Sequence, residues 1–224
     1  METYVLRLWL PDRPGALGAV ASRIGAVKGD VVGIDILETG HGQAVDEVVV
    51  QLADATLLDL LIAEVRQVDG VKVEEVRPAG AGGHDPRLDA LETAALLVGA
   101  PDRTSLLDAV CTHAGRALGA GWVAVLGLDD HEVRAAGPGA PTGGWLSAFL
   151  HGARSASALS GAEGSGDVAW APLPGAALAL VVGRDRTPWR ARERRQIAAL
   201  ARIVDSRYRE LARAESRKRH PSLG

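Results

Sequence analysis

Apolar positions alternate from the start of the chain. Tyr4, Leu6, Leu8 and Leu10 are separated by Val5, Arg7 and Trp9, the period of two expected of a strand with one face buried. At Leu17 the period changes. Leu17, Val20, Ala21, Ile24 and Val27 recur at steps of three and four, which predicts a helix, and Gly29 is placed to stop it. Residues 31–39 and 43–52 are rich in β-branched side chains and flank Gly40-His41-Gly42, so they predict an antiparallel hairpin. Asp54 can cap a second helix, with Leu58, Leu61, Ile62, Val65 and Val68 on one stripe and Gly70 as its end, before residues 71–76 return to strand character. The predicted order is βαββαβ. Such a split βαβ unit lays both helices on one face of a four-stranded antiparallel sheet within about 75 residues.

Residues 78–87 contain three Gly and two Pro with no apolar period and read as a flexible linker. Beyond it, Leu88, Leu91 and Ala95 make a helical stripe that fades near Gly99. Ser105 with Asp108 has the spacing of a capping box for a helix carrying Leu107, Val110, Cys111, Ala114 and Leu118 up to Gly119. Strands are predicted at 122–128, 132–136, 168–173 and 178–184, with a short helix at 145–150 between the pairs. Ile197, Leu200, Ala201, Val204, Tyr208 and Leu211 continue at helical spacing through a long final helix. The expected class is α+β, with domains at 1–77 and 88–213, the linker at 78–87 and a basic tail at 214–224.

At 224 residues there is material for one large or two small domains, and 25 basic against 28 acidic residues leave a formal charge of −3. That balance supplies no general attraction to nucleic acid or to an anionic membrane, so neither is expected as a partner. A single cysteine, Cys111, excludes a disulfide within the chain. The first residues lack the apolar block of a signal peptide, and no apolar run approaches the roughly 20 residues of a membrane span; a cytoplasmic location is the expectation.

The stretch nearest to a function is Leu-Pro-Asp-Arg-Pro-Gly-Ala-Leu at 10–17, between the first strand and the first helix. Pro14 suits the first helical position, where its missing amide is no loss, and Gly15 permits close approach to the backbone. The amides of Gly15, Ala16 and Leu17 would then face outward from a helix start, where peptide dipoles favour a carboxylate. The plain alternative is a strand-to-helix turn in which Asp12 caps the helix.

With its element order and the stretch Asp12-Arg13-Pro14-Gly15-Ala16-Leu17, which fits an Asp-x-Pro-Gly-x-Leu turn, the segment 3–77 resembles an ACT domain. The resemblance implies a ferredoxin-like regulatory module that binds an amino acid or similar small carboxylate, usually at an interface between two ACT domains. The effector would lie against Asp12, Arg13, Pro14, Gly15, Ala16 and Leu17, with Asp12 near its ammonium group, and against Asp30 and Val31 where the second strand begins. Many members carry an Asn-Ile pair there. This chain has Val31-Val32, which removes a side-chain amide contact. Residues 88–213, with two leading helices, an interrupted antiparallel sheet and the Thr187-Pro188-Trp189 approach to the last helix, resemble a GAF-like domain. That resemblance implies a regulatory module whose ligand ranges from cyclic nucleotides to none, and whose first and last helices often form a dimer interface.

Other candidate chemistry has a simpler explanation. Cys111 and His113, two apart on a helix, lie about 200 degrees around it and do not face each other. The histidines at 41, 84, 113, 131, 151 and 220 lack ligand spacing, so no metal or other cofactor is expected. Asp129 and Asp130 fit an ordinary turn. Trp122, Trp145, Phe149 and Trp170 could line a second pocket with His151, Arg154 or Ser157 as polar anchors, or could be core. The Gly/Pro-rich stretch 137–144 lacks the Gly-Lys-Ser/Thr ending of a phosphate loop. The arginines of the last helix are interspersed with Glu193, Asp205, Glu210 and Glu215, as on a solvated, internally paired face. The expectation is a non-enzymatic sensor acting as a homodimer and through a partner protein. Its rivals are a dimerisation module without a metabolite and a GAF-side nucleotide or small-molecule signalling protein.

Overall fold

The first three strand pairings follow directly from the alternation of apolar positions, and their register decides which side chains share a face. A computed structural model describes residues 1–79, 86–160, 166–185 and 187–219. The chain divides into two compact units, Met1–His84 with Arg190–Arg192, and Asp85–Trp189 with Glu193–Gly224. Both are mixed α/β units built on an antiparallel four-stranded sheet. The expected linker at 78–87 falls largely on 80–85, outside the described residues.

The first unit runs β1 (Glu2–Pro11), α1 (Ala16–Ala26), β2 (Asp30–Gly40), β3 (Gln43–Leu52), a 3-10 turn (Ala55–Leu57), α2 (Leu58–Arg66) and β4 (Lys72–Pro78), with strand order β2-β3-β1-β4. Tyr4, Leu6, Leu8 and Leu10 of β1 and Ala44, Val48, Val50 and Leu52 of β3 face Val20 and Ile24 of α1 and Leu61 and Val65 of α2. Each such large side chain, fully buried, contributes about 1.5–3 kcal/mol relative to exposure. His41 and Gly42 both have positive φ, the geometry of the two-residue turn that matches strand twist.

The opposite face of this sheet carries charge. Arg7 and Glu47 are cross-strand partners, and Arg7 donates to Glu47 Oε1 from Nε at 3.1 Å and Nη2 at 2.7 Å, with Arg77 Nη2 adding a third contact at 3.2 Å. Burial pushes the Glu47 carboxyl up, and the two guanidiniums outweigh it, holding the group below the usual range.

Three helix ends differ from expectation. Helix α1 begins at Ala16, not at Pro14, and Lys28 rather than Gly29 takes the left-handed position after it, with φ 60°. Gly29 is instead excluded from carrying a side chain, since a Cβ there would lie 2.9 Å from Ile24 Cγ2. Helix α2 runs from Leu58 only to Arg66, before Val68 and Gly70, and a 3-10 turn over Ala55–Leu57 with Asp54 as its cap precedes it.

The second unit runs α3 (Pro86–Gly99), α4 (Arg103–Leu118), β5 (Trp122–Gly127), β6 (Val133–Ala136), α5 (Gly143–Ser160), β7 (Val168–Leu173), β8 (Leu178–Gly183) and α6 (Ala191–Arg219), with strand order β6-β5-β8-β7. Val123 and Val125 of β5 and Leu180 and Val182 of β8 face Val110 and Ala114 of α4 and Leu200 and Val204 of α6. Their neighbours Ala124, Leu126, Ala179 and Val181 turn the other way, onto Leu146 and Leu150 of α5. A sheet covered on both faces reads as continuous apolar runs, as these two strands do.

Helix α4 is capped by Asp102, whose Oδ1 accepts from the Ser105 amide at 2.8 Å, so Ser105 is an inner residue of the first turn and not the cap. Helix α5 is three times the expected length at 145–150 and draws in Gly143 and Gly144 from the expected loop, while its contacts with the small core come from Leu146, Phe149 and Leu150. Helix α6 continues through the expected tail to Arg219, and 220–224 lie outside the described residues. Among the described residues no helix is long and apolar enough to cross a membrane.

Candidate functional site

The turn from β1 into α1 is held from three sides. The Asp12 amide donates to Gly42 O at 3.0 Å, tying it to the β2–β3 hairpin, and the Arg13 amide turns back to Pro11 O at 2.9 Å. Gly70 backs against Pro11 so closely that a Cβ would sit 2.7 Å from Pro11 Cγ. Arg13 reaches an exposed ion pair with Asp69 at 3.7 Å, a geometry worth little in water.

Gly15, and not Pro14, is the residue at the threshold of α1. Its φ of 88° and ψ of −15° are left-handed, and no side chain caps the helix, so the Asp12 carboxylate does not close this end. The reason is the left-handed threshold, which takes the place of the extended conformation that side-chain capping uses. Ala16 donates to Arg13 O at 3.3 Å and Gly15 O accepts from Ala19 at 2.9 Å. The amides of Gly15, Leu17 and Gly18 donate to no group among the described residues. Of the three amides expected to face outward, that of Ala16 is therefore occupied, and Gly18 takes its place. Asp12, Arg13, Pro14, Gly15 and Gly18 are exposed, Ala16 is buried and Leu17 half-buried. A Cβ built on Gly15 would meet nothing within 4 Å.

Asp30 and Val31 are not at this corner within one chain. Pro11 pairs with Gln43 at one end of the sheet, while Asp30 pairs with Gln51 and Val31 with Val50 at the other. Eight strand steps at about 3.3 Å place them about 25 Å away.

The register brings in a residue that the sequence reading passed over. Asp46 lies on β3 opposite Leu8 of β1 and Ile36 of β2, on the face covered by the helices, between Ala44 and Val48. It is 3% exposed, and its Oδ1 meets no hydrogen-bond donor among the described residues. Burial, and then the nearby charge of Asp12, push its carboxyl above the usual range. The signal was available in the sequence: Ala44, Asp46, Val48, Val50 and Leu52 form one alternating set with a single carboxylate in it.

The four aromatics of the second unit come together on the α5 side of its sheet. Trp122 and Trp145 meet edge to face with centroids 6.2 Å apart, Trp145 stacks on Phe149 at 5.5 Å, and Trp122, Phe149 and Trp170 pack against the small core under α5. They fill that face with one another. Trp145 is 45% exposed, and the enclosed Trp170 Nε1 has no acceptor among the described residues. The expected anchors are spent on docking α5: Arg154 donates to Leu128 O and stands 3.3 Å from His131 Nε2, while His151 meets the His131 ring edge to face at 5.4 Å. Of Ser157 only the backbone is described.

Cys111 is buried and His113 exposed on α4, as their spacing requires. Burial pushes the Cys111 thiol up to about 12, the opposite of what a nucleophile needs. Among the described residues no group of three or more His, Cys, Asp or Glu is placed to hold a metal ion. His84 and His220 lie outside the described residues.

No protein-family model matches the chain, and no curated protein matches it. Similar solved structures include the ACT domain from GTP pyrophosphokinase of Chlorobium tepidum, with 17% identity over 35% of this chain and 97% of that one and a TM-score of 0.29. An uncharacterized protein from Thermotoga maritima has 20% identity over 35% of this chain and 98% of its own, with a TM-score of 0.29. An unknown protein from Galdieria sulphuraria has 14% identity over 92% of both chains and a TM-score of 0.33.

Proposed function

We propose that this chain is a non-enzymatic regulatory protein whose first unit, an ACT-like module, binds an amino acid or similar small carboxylate at the corner between β1 and α1. The observation that carries this reading is Gly15. A left-handed glycine leaves the first turn of α1 without a side-chain cap and leaves open space above it, and the Gly15, Leu17 and Gly18 amides have no acceptor among the described residues. Those donors, together with the helix dipole, are a receptor for a carboxylate.

The reading includes a homodimer. Strand β2 is an edge strand, and it exposes Val32, Ile34 and Ile36 along its length. Asp30 and Val31, remote from the corner of their own chain, reach an effector there only from a second copy. The second unit, with helices on both faces of its sheet, is the GAF-like module of this reading and passes the change of state to a cytoplasmic partner protein. The same edge strand favours a second reading, a dimerisation module that holds no metabolite.

A thermal-shift screen against the twenty amino acids, common metabolites and cyclic nucleotides, repeated on Gly15→Val, separates the readings. An effector at a hundred times its dissociation constant adds about 2.7 kcal/mol to the native state, enough for a shift of a few degrees. A shift by an amino acid or small carboxylate that disappears in Gly15→Val is the expected result. A folded dimer that responds to none of them overturns the effector reading in favour of assembly alone, and a shift by a nucleotide that survives in Gly15→Val moves the ligand to the second unit.

A further inference from the structure

Each acid on α6 is already committed. Glu193 is held by Arg184 at 2.6 Å, Glu215 by Arg103 at 2.8 Å and Glu210 by Arg207 at 3.2 Å, while Asp205 accepts from the Ala176 amide at 2.8 Å and stands 3.6 Å from Arg209 Nε. The internal pairing expected of this helix is therefore partial. Arg195, Arg202, Arg213 and Arg217 are exposed and meet no acid, acceptor or ring among the described residues.

These arginines lie in a row. At about 100 degrees per residue, Arg195, Arg202, Arg209, Arg213 and Arg217 fall within about 80 degrees of arc and along about 33 Å of helix. No acid lies inside that sector, and Glu210 at its edge is taken by Arg207. The other side of the helix is fixed in the core by Ile197, Leu200, Val204 and Leu211, so the row is presented on a rigid rod. Toward its end, Arg213 and Arg217 border a shallow depression with Ala212 and Ser216. The formal charge of −3 is an average over the whole chain and conceals this face.

A partner that fits carries negative charge without a break over a comparable length. Double-stranded nucleic acid places one charge about every 1.7 Å along its axis, so a straight row of guanidiniums meets phosphates throughout its run. Helices that lie on an anionic membrane add large exposed apolar side chains beside the basic face, and those of α6 are in the core. A single strand is held by aromatic rings on which its bases stack, and the row contains none. We propose that the outward face of α6, from Arg195 to Arg217, is a docking surface for the phosphate backbone of a double-stranded nucleic acid. This surface is independent of the effector reading of the Gly15 corner.

Fluorescence anisotropy of the full chain with a labelled, mixed-sequence DNA duplex of about 20 base pairs, two helical turns, tests this across a salt series. Arg202→Ala with Arg213→Ala removes two charges from the row, and Arg66→Ala with Arg116→Ala removes two from exposed positions elsewhere. Far-UV circular dichroism confirms that both double variants are folded. The expected result is binding by wild type that weakens with salt, a loss of about tenfold or more in the row variant with a salt slope shallower by about 2, and little change in the control. Absence of duplex binding at low salt, equal losses in the two double variants, or tighter binding of a single strand of the same length overturns the proposal. Phosphatidylserine vesicles and polyglutamate are titrated in parallel. Tighter binding of either than of the duplex, lost in the row variant, overturns it in favour of a membrane or an acidic polypeptide.

Discussion

The guanidinium of Arg184 grips the carboxylate of Glu193 with two parallel hydrogen bonds, Nη1 to Oε1 at 2.6 Å and Nη2 to Oε2 at 2.8 Å, with the side chains only 8% and 7% exposed. Arg184 also lies over the Trp189 ring at 3.9 Å and donates to the Thr187 and Pro188 carbonyls, both at 2.9 Å. Arg184, the residue just past the end of β8, thereby organises the approach to α6. Breaking a buried pair from one side strands the other charge, so Glu193→Gln is expected to lose about 3–5 kcal/mol in urea denaturation. The double replacement Arg184→Met with Glu193→Leu should lose less. A Glu193→Gln variant within about 0.5 kcal/mol of wild type would show that the pair does not hold this region.

Gly15 and Gly18 provide an internal contrast. Both have open space where a Cβ would go, but only Gly15 has the left-handed φ of 88°. Gly15→Ala should lose about 1–2 kcal/mol from backbone strain alone, whereas Gly18→Ala, inside the helix, should gain about 0.5–1 kcal/mol. Chemical denaturation in the absence of ligand measures both, and equal effects would contradict the assigned backbone.

Asp46→Asn is expected to stabilise the unliganded protein. The folded carboxyl sits above its unfolded value, so as pH rises the unfolded state gives up its proton first and wild-type stability falls through that interval. The advantage of the variant should therefore be small in acid and grow toward neutrality. A constant difference across pH would mean that Asp46 titrates normally.

Cys111 should be unreactive in the folded protein at neutral pH, because its thiol is buried and pushed up to about 12. Thiol titration is expected to find no reactive group before unfolding and one afterwards. Prompt labelling under native conditions would contradict its placement in the α4 core.

Lys28 holds φ at 60°, a conformation that disfavours any residue with a Cβ. Lys28→Gly should therefore raise stability by about 1 kcal/mol, measured as a shift in denaturation midpoint at constant slope. Loss of stability would mean that the lysine side chain compensates through contacts of its own.

Much of the first unit was legible from periodicity. Leu6, Leu8 and Leu10 were assigned to one face, and the register places them against Val48, Asp46 and Ala44 on that face. The Gly40-His41-Gly42 hairpin was equally plain because two successive positive φ values are a local requirement of a two-residue turn. Helix ends were less legible. Asp102 and Ser105 both have capping chemistry, and which one caps depends on where the chain leaves α3, not on the four residues themselves.

The candidate site divides in the same way. The Pro-Gly turn is visible as a string of letters because proline and glycine restrict the backbone locally. The unpaired amides of Gly15, Leu17 and Gly18 and the enclosed carboxylate of Asp46 are not, because burial and hydrogen-bond satisfaction depend on residues far along the chain. The separation of Asp30 from Gly15 likewise follows from the direction in which β2 runs along β3.

By itself, then, the sequence determined where the strands and helices lie and where the backbone turns, since period and φ preference act over a few residues. The tertiary structure alone decided that Gly15 rather than Pro14 opens α1, that the enclosed Oδ1 of Asp46 meets no donor among the described residues while Glu47 beside it has two arginines, and that the aromatics of the second unit fill a face. Those outcomes are set by which distant groups meet in space and by how much water is left between them.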